Sequence, residues 1–472
     1  MHSEIAVLRF GLGARPGELQ QAEADPRGWL RAQLQGEVSR ASTLELAPAD
    51  RILTAYFAAR AERQALKGSA AADAAAGTAP NPVKDAHLPH YRAQVLARTQ
   101  SAARTARPFA ERLTHFWSNH FAVSADKGVV AGIAGTLENE AIRPHVCGRF
   151  QDLLISVEQH PAMIAYLDNQ TSVGPDSRAA QFAGSARAGR RELGINENLA
   201  REIMELHTLG VHGGYTQSDV TTFAKVLSGW SISGLRTHAD RSARSGQDDA
   251  DAPGRFLFRE NLHEPGAQTL LGTTFRDRGV GQGEAVLAFL AHHPSTAQFI
   301  ATKLVRHFVA DEPPAALVGH VATAYRASGG YLPDVYAALL NHDAAWEMTP
   351  RKFKTPEDLV FSTLRAFDAV PADPHETLRS FEFLGQRAYT PGSPAGWPDT
   401  SPSWDGSDAL MHRVVWANRV GERFEHGSDP VMVCKESLGR YARPETLASI
   451  QRAASASQAL ALMIMSPEFQ RR

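Results

Sequence analysis

Apolar residues recur at helical spacing along most of this chain, and short polar breaks separate one such segment from the next. The stretch from Tyr91 to Phe121, for example, predicts one long helix with aromatic side chains on one face. The chain has no regular internal repeat and no alternation of strands with helices. We therefore expect a mainly α protein, built as a large multi-helix, bundle-like domain. A minor β-hairpin is predicted near residues 256–275, where apolar and threonine-rich runs flank a His-Glu pair.

The chain has 472 residues, which is more than one typical hydrophobic core occupies. Residues 1–235 hold most of the polar motifs and are predicted to form an N-terminal helical lobe. Residues 236–254 are charged and lack bulky apolar side chains, which predicts a flexible insertion. Residues 255–472 would form a C-terminal helical lobe packed on the first, and one single large domain is the alternative. Residues 68–82 and 171–193 are predicted to be loops.

Composition argues against several classes of protein. The formal net charge of −2 gives no reason to expect binding to nucleic acid or to anionic membranes. No run approaches the ~20 apolar residues of a membrane span, and the first residues carry no export signal. As given, the chain is expected to be soluble and cytoplasmic. Its two cysteines, Cys147 and Cys434, allow one disulfide but neither a disulfide scaffold nor a cysteine-rich zinc site.

The densest run of polar side chains extends from Asn196 to Gly210 and predicts one short amphipathic helix. Asn196 is a suitable N-cap, and Gly210 stands where a left-handed residue commonly ends a helix. At about 100° per residue, the apolar stripe of this helix comprises Leu199, Ile203 and Leu206. One flank of the stripe carries Asn198, Glu202 and Glu205. Arg201 borders that flank, and His207 lies on the opposite flank.

This polar flank has two interpretations. Carboxylates and amides beside a buried stripe are costly unless they are paired, hydrogen-bonded or bound to a cation. The structural interpretation is a network in which an arginine pairs with Glu202 or Glu205. The functional interpretation is a polar site at the edge of a pocket. His120 falls within the apolar face of the preceding long helix, so its importance depends on partners from other elements.

Several motifs in fixed order resemble those of one bacterial family. They are His115-Phe-Trp-Ser-Asn-His-Phe121, Glu138-Asn-Glu140 with Arg143, Pro161-Ala-Met163, Tyr166-Leu-Asp-Asn169, Asn196-Glu-Asn-Leu-Ala-Arg-Glu202, Glu205-Leu-His-Thr-Leu-Gly210, Tyr215-Thr with Asp219, Gly229-Trp230 and Gly396-Trp-Pro398. Together they resemble the family called domain of unknown function 1800 over nearly the whole chain. The chain departs from the family pattern at His263-Glu264, where His-Asp is usual, and Gln268 or a neighbour replaces an expected lysine.

The resemblance implies a partner but not a mechanism. Members are often encoded beside a second family, related to sulfatases and alkaline phosphatases, that carries a twin-arginine export signal. The chain could therefore associate with a sulfatase- or phosphatase-like protein, and it could reach the periplasm by co-export with that partner.

The first functional hypothesis is a hydrolase- or transferase-like enzyme. The sequence lacks a G-x-S-x-G elbow, an HExxH zinc helix and a phosphate loop. Glu202 or Glu205 would instead act as general base or metal ligand, His120 as acid–base partner and Arg201 as stabiliser of negative charge. The further candidates for ligand binding are Asn198, Asp168, Asn169, Glu140 and His207.

The sequence leaves the cofactor open. A hard divalent cation such as Mg²⁺ or Ca²⁺ would accept oxygen ligands from Glu202, Glu205, Asn198 and Asp168, whereas a transition metal would also need a histidine. The second hypothesis is a non-catalytic interaction partner of an exported sulfatase- or phosphatase-like protein. The third is that the polar motifs only hold a large helical bundle together.

Overall fold

The structure, a computed structural model, describes residues 2–66, 82–185, 194–235, 253–276 and 278–472. The predicted insertion at 236–254 lies outside these residues except for its last two positions. The predicted loop at 68–82 also lies outside them except for its last residue, as do residues 186–193 of the second predicted loop.

The helices of the first half are mostly short. Their bounds are α1 (His2–Glu4), α2 (Glu18–Gln21), α3 (Pro26–Ala32), α4 (Ala49–Leu66), α5 (Pro82–Asp85), α6 (Leu88–Arg104), α7 (Pro108–His120), α8 (Ala134–Thr136), α9 (Phe150–Glu158), α10 (Pro161–Tyr166), α11 (Arg178–Ser185), α12 (Asn198–Glu202) and α13 (Gln217–Val226). Wider π-helical turns extend α1, α8 and α12 over Ile5–Phe10, Leu137–Ile142 and Ile203–His207. Proline begins α3, α7 and α10, where its missing N–H costs nothing.

The helices of the second half are more regular. They are α14 (Val280–Ala291), α15 (Pro294–Phe308), α16 (Ala315–Ala327), α17 (Leu332–Asn341), α18 (Pro356–Ala366), α19 (Pro374–Phe383), α20 (Ser407–Phe424), α21 (Pro430–Leu438), α22 (Pro444–Gln451) and α23 (Ala456–Met465). Side chains of Thr355, Asp373, Asp429 and Ser455 accept N–H groups at the starts of α18, α19, α21 and α23. Single 3₁₀ turns lie at Arg143–His145, Asn169–Thr171, Glu260–Leu262, Asp343–Trp346, Ser401–Ser403 and Gly439–Tyr441.

The strands of the described chain form two small antiparallel pairs. β1 (Trp230–Ile232) pairs with β2 (Phe256–Phe258), and β3 (Gln268–Leu270) pairs with β4 (Thr273–Phe275). Leu271 and Gly272, both with positive φ, make the tight turn between β3 and β4. The mainly α fold with a minor hairpin is therefore confirmed. The hairpin is shorter than predicted and consists of β3 and β4 alone, because β2 pairs with β1.

Two predictions of helix and loop bounds were wrong. The stretch from Tyr91 to Phe121 is not one helix, because the chain leaves helical geometry at Thr105 and Arg107 and starts again at Pro108. A residue that precedes proline is disfavoured in the α region, which explains the break. The predicted loop at 171–193 contains helix α11. Ala179 of this helix packs in a small buried cluster with Leu262.

One continuous cluster of buried apolar side chains extends through the molecule and includes residues of both predicted lobes. It contains Phe10 and Trp117 from the first half and Phe308 and Ile464 from the second. The division into lobes stays a prediction. Cys147 and Cys434 are both free thiols, so the one disulfide that the sequence allows is not formed. Among the described helices, none is long and apolar enough to cross a membrane.

Candidate functional site

The polar motif helix α12 starts at Asn198 and continues directly into the π-helical turn Ile203–His207. Glu197, not Asn196, occupies the position before the helix. Asn196 still supports the start, because its side-chain oxygen accepts the N–H of Asn198 at 2.9 Å. Gly210 has φ of +80°, which confirms the left-handed residue predicted after the helix.

The π-helical turn changes which side chains of this segment are buried. Leu199 and Ile203 are fully buried, as predicted, but Leu206 is only half-buried. Met204 and His207 are buried in its place. A π turn contains more residues than an α turn, so every later side chain is rotated around the axis. The prediction that His207 lies on a flank was therefore wrong, and the histidine points into the core.

The exposed side of the segment carries an ion-pair network. Arg201 contacts Glu197 at 3.1 Å and Glu205 at 3.2 Å, each one helical turn away. It also donates to the side chain of Gln217 at 2.8 Å. Asn198 is exposed, and its side chain makes no hydrogen bond within the described residues. For Arg201 and Glu205, this is the arrangement that the structural interpretation predicts.

Glu202 differs from its neighbours, because its carboxylate has no hydrogen bond or ion pair in the described part of the chain. Burial raises the pKa of Glu202, and the nearby carboxylates Glu205 and Glu158 raise it further. His207 and Arg201 oppose that rise. Glu202 therefore lies at the outer edge of a cluster whose inner members are His207 and Glu158.

Three buried side chains form that inner cluster. His207 contacts Glu158 through Nδ1 and Oε1 at 2.8 Å, and His120 donates from Nε2 to the backbone oxygen of His207 at 3.1 Å. The two imidazole centroids lie 6.1 Å apart. His120 Nδ1, His207 Nε2 and Glu158 Oε2 are buried without a hydrogen-bond partner among the described residues. Burial, with Lys303 and His207, holds the pKa of His120 well below its usual value.

The remaining predicted ligand residues are held by contacts to other elements. Asp168 has φ of +59° and pairs with Lys127 at 2.6 Å. Asn169 donates to the backbone oxygens of Leu227 and Trp230, each at 3.0 Å. Glu140 accepts the backbone N–H of Ala49 at 2.9 Å and so caps the start of α4. None of these contacts joins them to His120 or His207. Within the described ranges, no group of three or more His, Cys, Asp or Glu side chains could hold a metal ion.

A second polar region surrounds a cavity of about 70 Å³, here called the central cavity. Its walls come from α7, the end of α15, the start of α18 and the segment from residue 386 to 399. The lining residues with polar side chains are Arg98, Arg112, His115, Ser118, Asn119, His307, Thr355, Glu357, Asp358, Gln386, Arg387, Tyr389, Trp397 and Asp399. The cavity therefore collects side chains from the first half and the second half of the chain.

His307 and Asp399 form a hydrogen-bonded pair at the wall of the central cavity. Nδ1 of His307 lies 2.9 Å from Oδ2 of Asp399. Burial lowers the pKa of His307 to about 4, with Arg472 and Arg112 adding to the effect and Asp399 opposing it. The imidazole is therefore neutral at pH 7. Since the carboxylate can only accept, Nδ1 carries the hydrogen and Nε2 is left as an acceptor, with no partner in the described structure.

Cations surround the carboxylates of this region. Lys352 lies 3.3 Å from Oδ1 of Asp399 and also contacts Asp311 at 2.7 Å. Arg472 pairs with Asp358 at 2.9 Å and lies 3.8 Å from Asp399. Burial tends to raise the pKa of Asp399, but contact with His307 and the charges of Lys352 and Arg472 outweigh it and hold that pKa far below its usual range. Asp399 therefore stays ionised.

Several lining side chains carry a buried polar atom with no hydrogen-bond partner among the described residues. These atoms are Arg112 Nε, His115 Nε2, His307 Nε2, Tyr389 Oη and Trp397 Nε1. Most buried polar groups in proteins are paired, so unpaired ones around a cavity indicate that water or a ligand fills it. Lys303 links this region to His120: it lowers the pKa of His120, and burial lowers its own pKa to about 8, against the influence of Asp399.

Comparison of the sequence with protein-family models assigns the chain to a family over nearly its whole length. The family model described as "Protein of unknown function (DUF1800)" matches residues 5–471. The chain belongs to this family. The resemblance seen in the motifs is thereby confirmed. No curated protein and no solved structure matches the chain. The DUF1800 match thus gives membership without an activity.

In this DUF1800 protein some residues of the sequence motifs line the central cavity, although the sequence predicted a polar site elsewhere, on the helix from Asn196 to Gly210. His115, Asn119, Trp397 and Pro398 belong to the motifs and line the cavity. Asp399 directly follows the Gly-Trp-Pro motif, and that position could have indicated it. His307 had no comparable signal, because its partner lies 92 residues away in the sequence. The predicted catalytic roles of Glu202, Glu205, His120 and Arg201 stay predictions.

Proposed function

We propose that this protein is an enzyme of the hydrolase or transferase class whose acid–base group is His307. The observation that supports the proposal is the His307–Asp399 pair at the wall of a polar cavity. A carboxylate that holds a neutral imidazole through Nδ1 leaves Nε2 ready to take a proton, as in catalytic dyads and triads. The geometry of the His307–Asp399 pair carries this assignment.

In this proposal Nε2 of His307 removes a proton from a water molecule or a substrate hydroxyl in the central cavity. The oxygen so activated attacks the substrate, and the imidazolium later returns the proton to the leaving group. Asp399 orients the ring and stabilises the imidazolium that forms. Lys352 and Arg472 keep Asp399 ionised throughout the cycle. Attack by water would give hydrolysis, and attack by a second substrate would give transfer.

The residues predicted from the motif helix have a separate place in this proposal. The charge of Lys303 lowers the pKa of His120, and Asp399 in turn influences the pKa of Lys303. We propose that the His120, His207 and Glu158 cluster positions this wall of the site, with Glu202 at its outer edge. A divalent cation is not needed for the proposed proton transfer, and the oxygen ligand set predicted for one is dispersed: Asp168 and Glu205 are engaged in separate ion pairs.

The proposal is tested with chromogenic substrates of three ester types: p-nitrophenyl acetate, phosphate and sulfate. Replacing His307 by Gln is expected to lower kcat/KM by about 10²- to 10⁴-fold on any substrate that the protein turns over. The matched control is His426→Gln, since the His426 side chain is 93% exposed and does not line the central cavity. A folded His307→Gln variant with the rate of the unaltered protein would contradict the proposal.

A second candidate function is non-catalytic binding to a sulfatase- or phosphatase-like protein, with co-export to the periplasm as its consequence. It is favoured by apolar side chains on the outer face of α20. Met411 is 61% exposed, and Val415, one turn later, is 38% exposed. The test is co-purification with such a partner at micromolar concentration. The double variant Met411→Glu with Val415→Glu should lose the complex, and failure of the unaltered protein to form one would exclude this function.

A further inference from the structure

A separate pocket lies between α6, α18, α19 and α20 and shares no lining residue with the central cavity. Its volume is about 250 Å³, and we call it the arginine-rimmed pocket. The apolar part of its wall is formed by Val360, Leu364, Phe383, Trp416, Val420 and Phe424. An engineered cavity of about 150 Å³ with similar walls binds benzene, so this pocket is large enough for an aromatic molecule.

The rim of this pocket is positively charged. Arg379, Arg419 and Arg423 line it, against one carboxylate, Glu376. Glu376 pairs with Arg423, and Arg379 lies 4.0 Å from Asp373 at the edge. Arg419 lies over the ring of Phe383, with 4.8 Å between its guanidinium carbon and the ring centroid. Arg419 makes no hydrogen bond or ion pair within the described residues, so its charge is available to a ligand.

The wall of the pocket also holds a buried hydroxyl group. Thr363 is 2% exposed, and its Oγ1 has no hydrogen-bond partner in the described part of the chain. A buried hydroxyl without a partner is costly, which indicates that something else in the pocket hydrogen-bonds to it. The pocket therefore offers a cation at its rim, aromatic walls and one polar group at depth.

We propose that the arginine-rimmed pocket binds a small aromatic carboxylate. The aromatic body packs against Phe383, Trp416 and Phe424, which favour flat ring systems over alkyl chains. The carboxylate pairs with the guanidinium of Arg419, which can donate two parallel hydrogen bonds to it. A polar substituent at the far end of the ring system hydrogen-bonds to Thr363. This site is independent of His307 and of the proposed reaction.

The test is isothermal titration calorimetry on the full chain with four probes: 2-naphthoate, 6-hydroxy-2-naphthoate, the neutral 2-naphthalenemethanol and octanoate. Naphthoate should bind about tenfold more tightly than the alcohol, because only naphthoate carries the charge that Arg419 recognises. The 6-hydroxy compound should bind more tightly still, and Thr363→Val should remove that advantage. Octanoate should bind more weakly than naphthoate.

Two matched arginine variants separate the site from general charge effects. Arg419→Gln should weaken naphthoate binding about five- to tenfold. Arg452→Gln removes an exposed arginine that does not line the pocket and should leave the affinity unchanged. Equal binding by both variants, equal binding of naphthoate and the alcohol, or tighter binding of octanoate would each overturn the proposal.

Discussion

Asn119 holds Trp397 through both halves of its side-chain amide. Nδ2 donates to the backbone oxygen of Trp397 at 2.9 Å, and Oδ1 accepts the backbone N–H of Trp397 at 2.7 Å. Two motifs that lie 278 residues apart in the sequence are thus joined at the central cavity. The contact fixes the segment that carries Asp399, so it determines where the partner of His307 lies.

Replacing Asn119 by Ala should therefore destabilise the protein by about 1–3 kcal/mol, since two part-buried backbone groups lose their partner. The free energy of unfolding in urea measures the effect. Asn198→Ala is the matched control, because that side chain is exposed and unbonded, and it should change stability by less than about 0.5 kcal/mol. Equal effects of the two substitutions would show that the contact to Trp397 contributes nothing.

Gly396 is expected to tolerate no side chain. Its φ is +82°, and a Cβ atom there would lie 2.3 Å from the backbone oxygen of Asn119. Gly396→Ala should cost about 2–4 kcal/mol from backbone strain and overpacking together. Gly392 lies in the same segment, has no positive φ and has open space around it, so Gly392→Ala should be nearly neutral. Thermal unfolding of both variants measures the two losses of stability. A Gly396→Ala protein as stable as the unaltered protein would contradict the close approach of Gly396 to the backbone of Asn119.

The buried pair of Glu111 and Arg143 should be far more sensitive to substitution than exposed pairs. Its two contacts measure 2.6 and 2.8 Å, and both side chains are nearly inaccessible. Glu111→Gln leaves a buried guanidinium without its main counter-charge and should cost about 3–5 kcal/mol. Glu347→Gln breaks the exposed pair with Arg351 and should cost less than about 1 kcal/mol. Chemical denaturation gives both values, and a small loss for Glu111→Gln would contradict this difference.

Stability should fall as the pH falls from about 6.5 to 4. Burial lowers the pKa of His87 and of His307 to about 4, and that of His120 well below 6.5. In the unfolded chain these groups titrate near 6.5, so in this range the unfolded state binds protons that the folded state excludes. Each histidine contributes up to about 1.4 kcal/mol per pH unit.

Urea unfolding at pH 7, 6 and 5 measures this dependence. His307→Gln should reduce the slope by the contribution of one proton relative to the unaltered protein. Buried carboxylates such as Asp358, whose pKa is lowered by Arg112 and Arg472 against the effect of burial, add their loss only at still lower pH. A stability that is flat between pH 6.5 and 5 would contradict the buried state of the histidines.

Helical periodicity predicted most of the fold, because the local spacing of apolar residues is enough to indicate an amphipathic helix. The stretch from Tyr91 to Phe121, for example, was predicted to be helical, and it is helical on both sides of its one break. The π-helical turn at Ile203–His207 was not predictable in this way, because apolar spacing assumes a constant turn. That one turn moved His207 from a flank into the core, beside His120. The pairing of β1 with β2 was missed because the predicted insertion separates these two strands in the sequence.

The candidate site depends even more on contacts between distant parts of the chain. Motif residues such as Asn119 and Trp397 were recognised without their contact, which only the folded chain brings about. Glu158 lies within an ordinary amphipathic helix, where a buried acid has no local sign, and its role follows from the position of His207. His307 was likewise hidden within the periodic pattern of α15.

The state of His307 tests the central claim most directly. Nitrogen-15 NMR of uniformly labelled protein, with His307→Gln to assign the resonances, reports the tautomer and the pKa of this imidazole without any substrate. The predicted result is a neutral ring at pH 7 with the hydrogen on Nδ1 and a pKa of about 4. Asp399→Asn should abolish the preference for that tautomer. A ring with its hydrogen on Nε2 would contradict the acid–base pair, and a ring that titrates near 6.5 would contradict the burial that lowers its pKa.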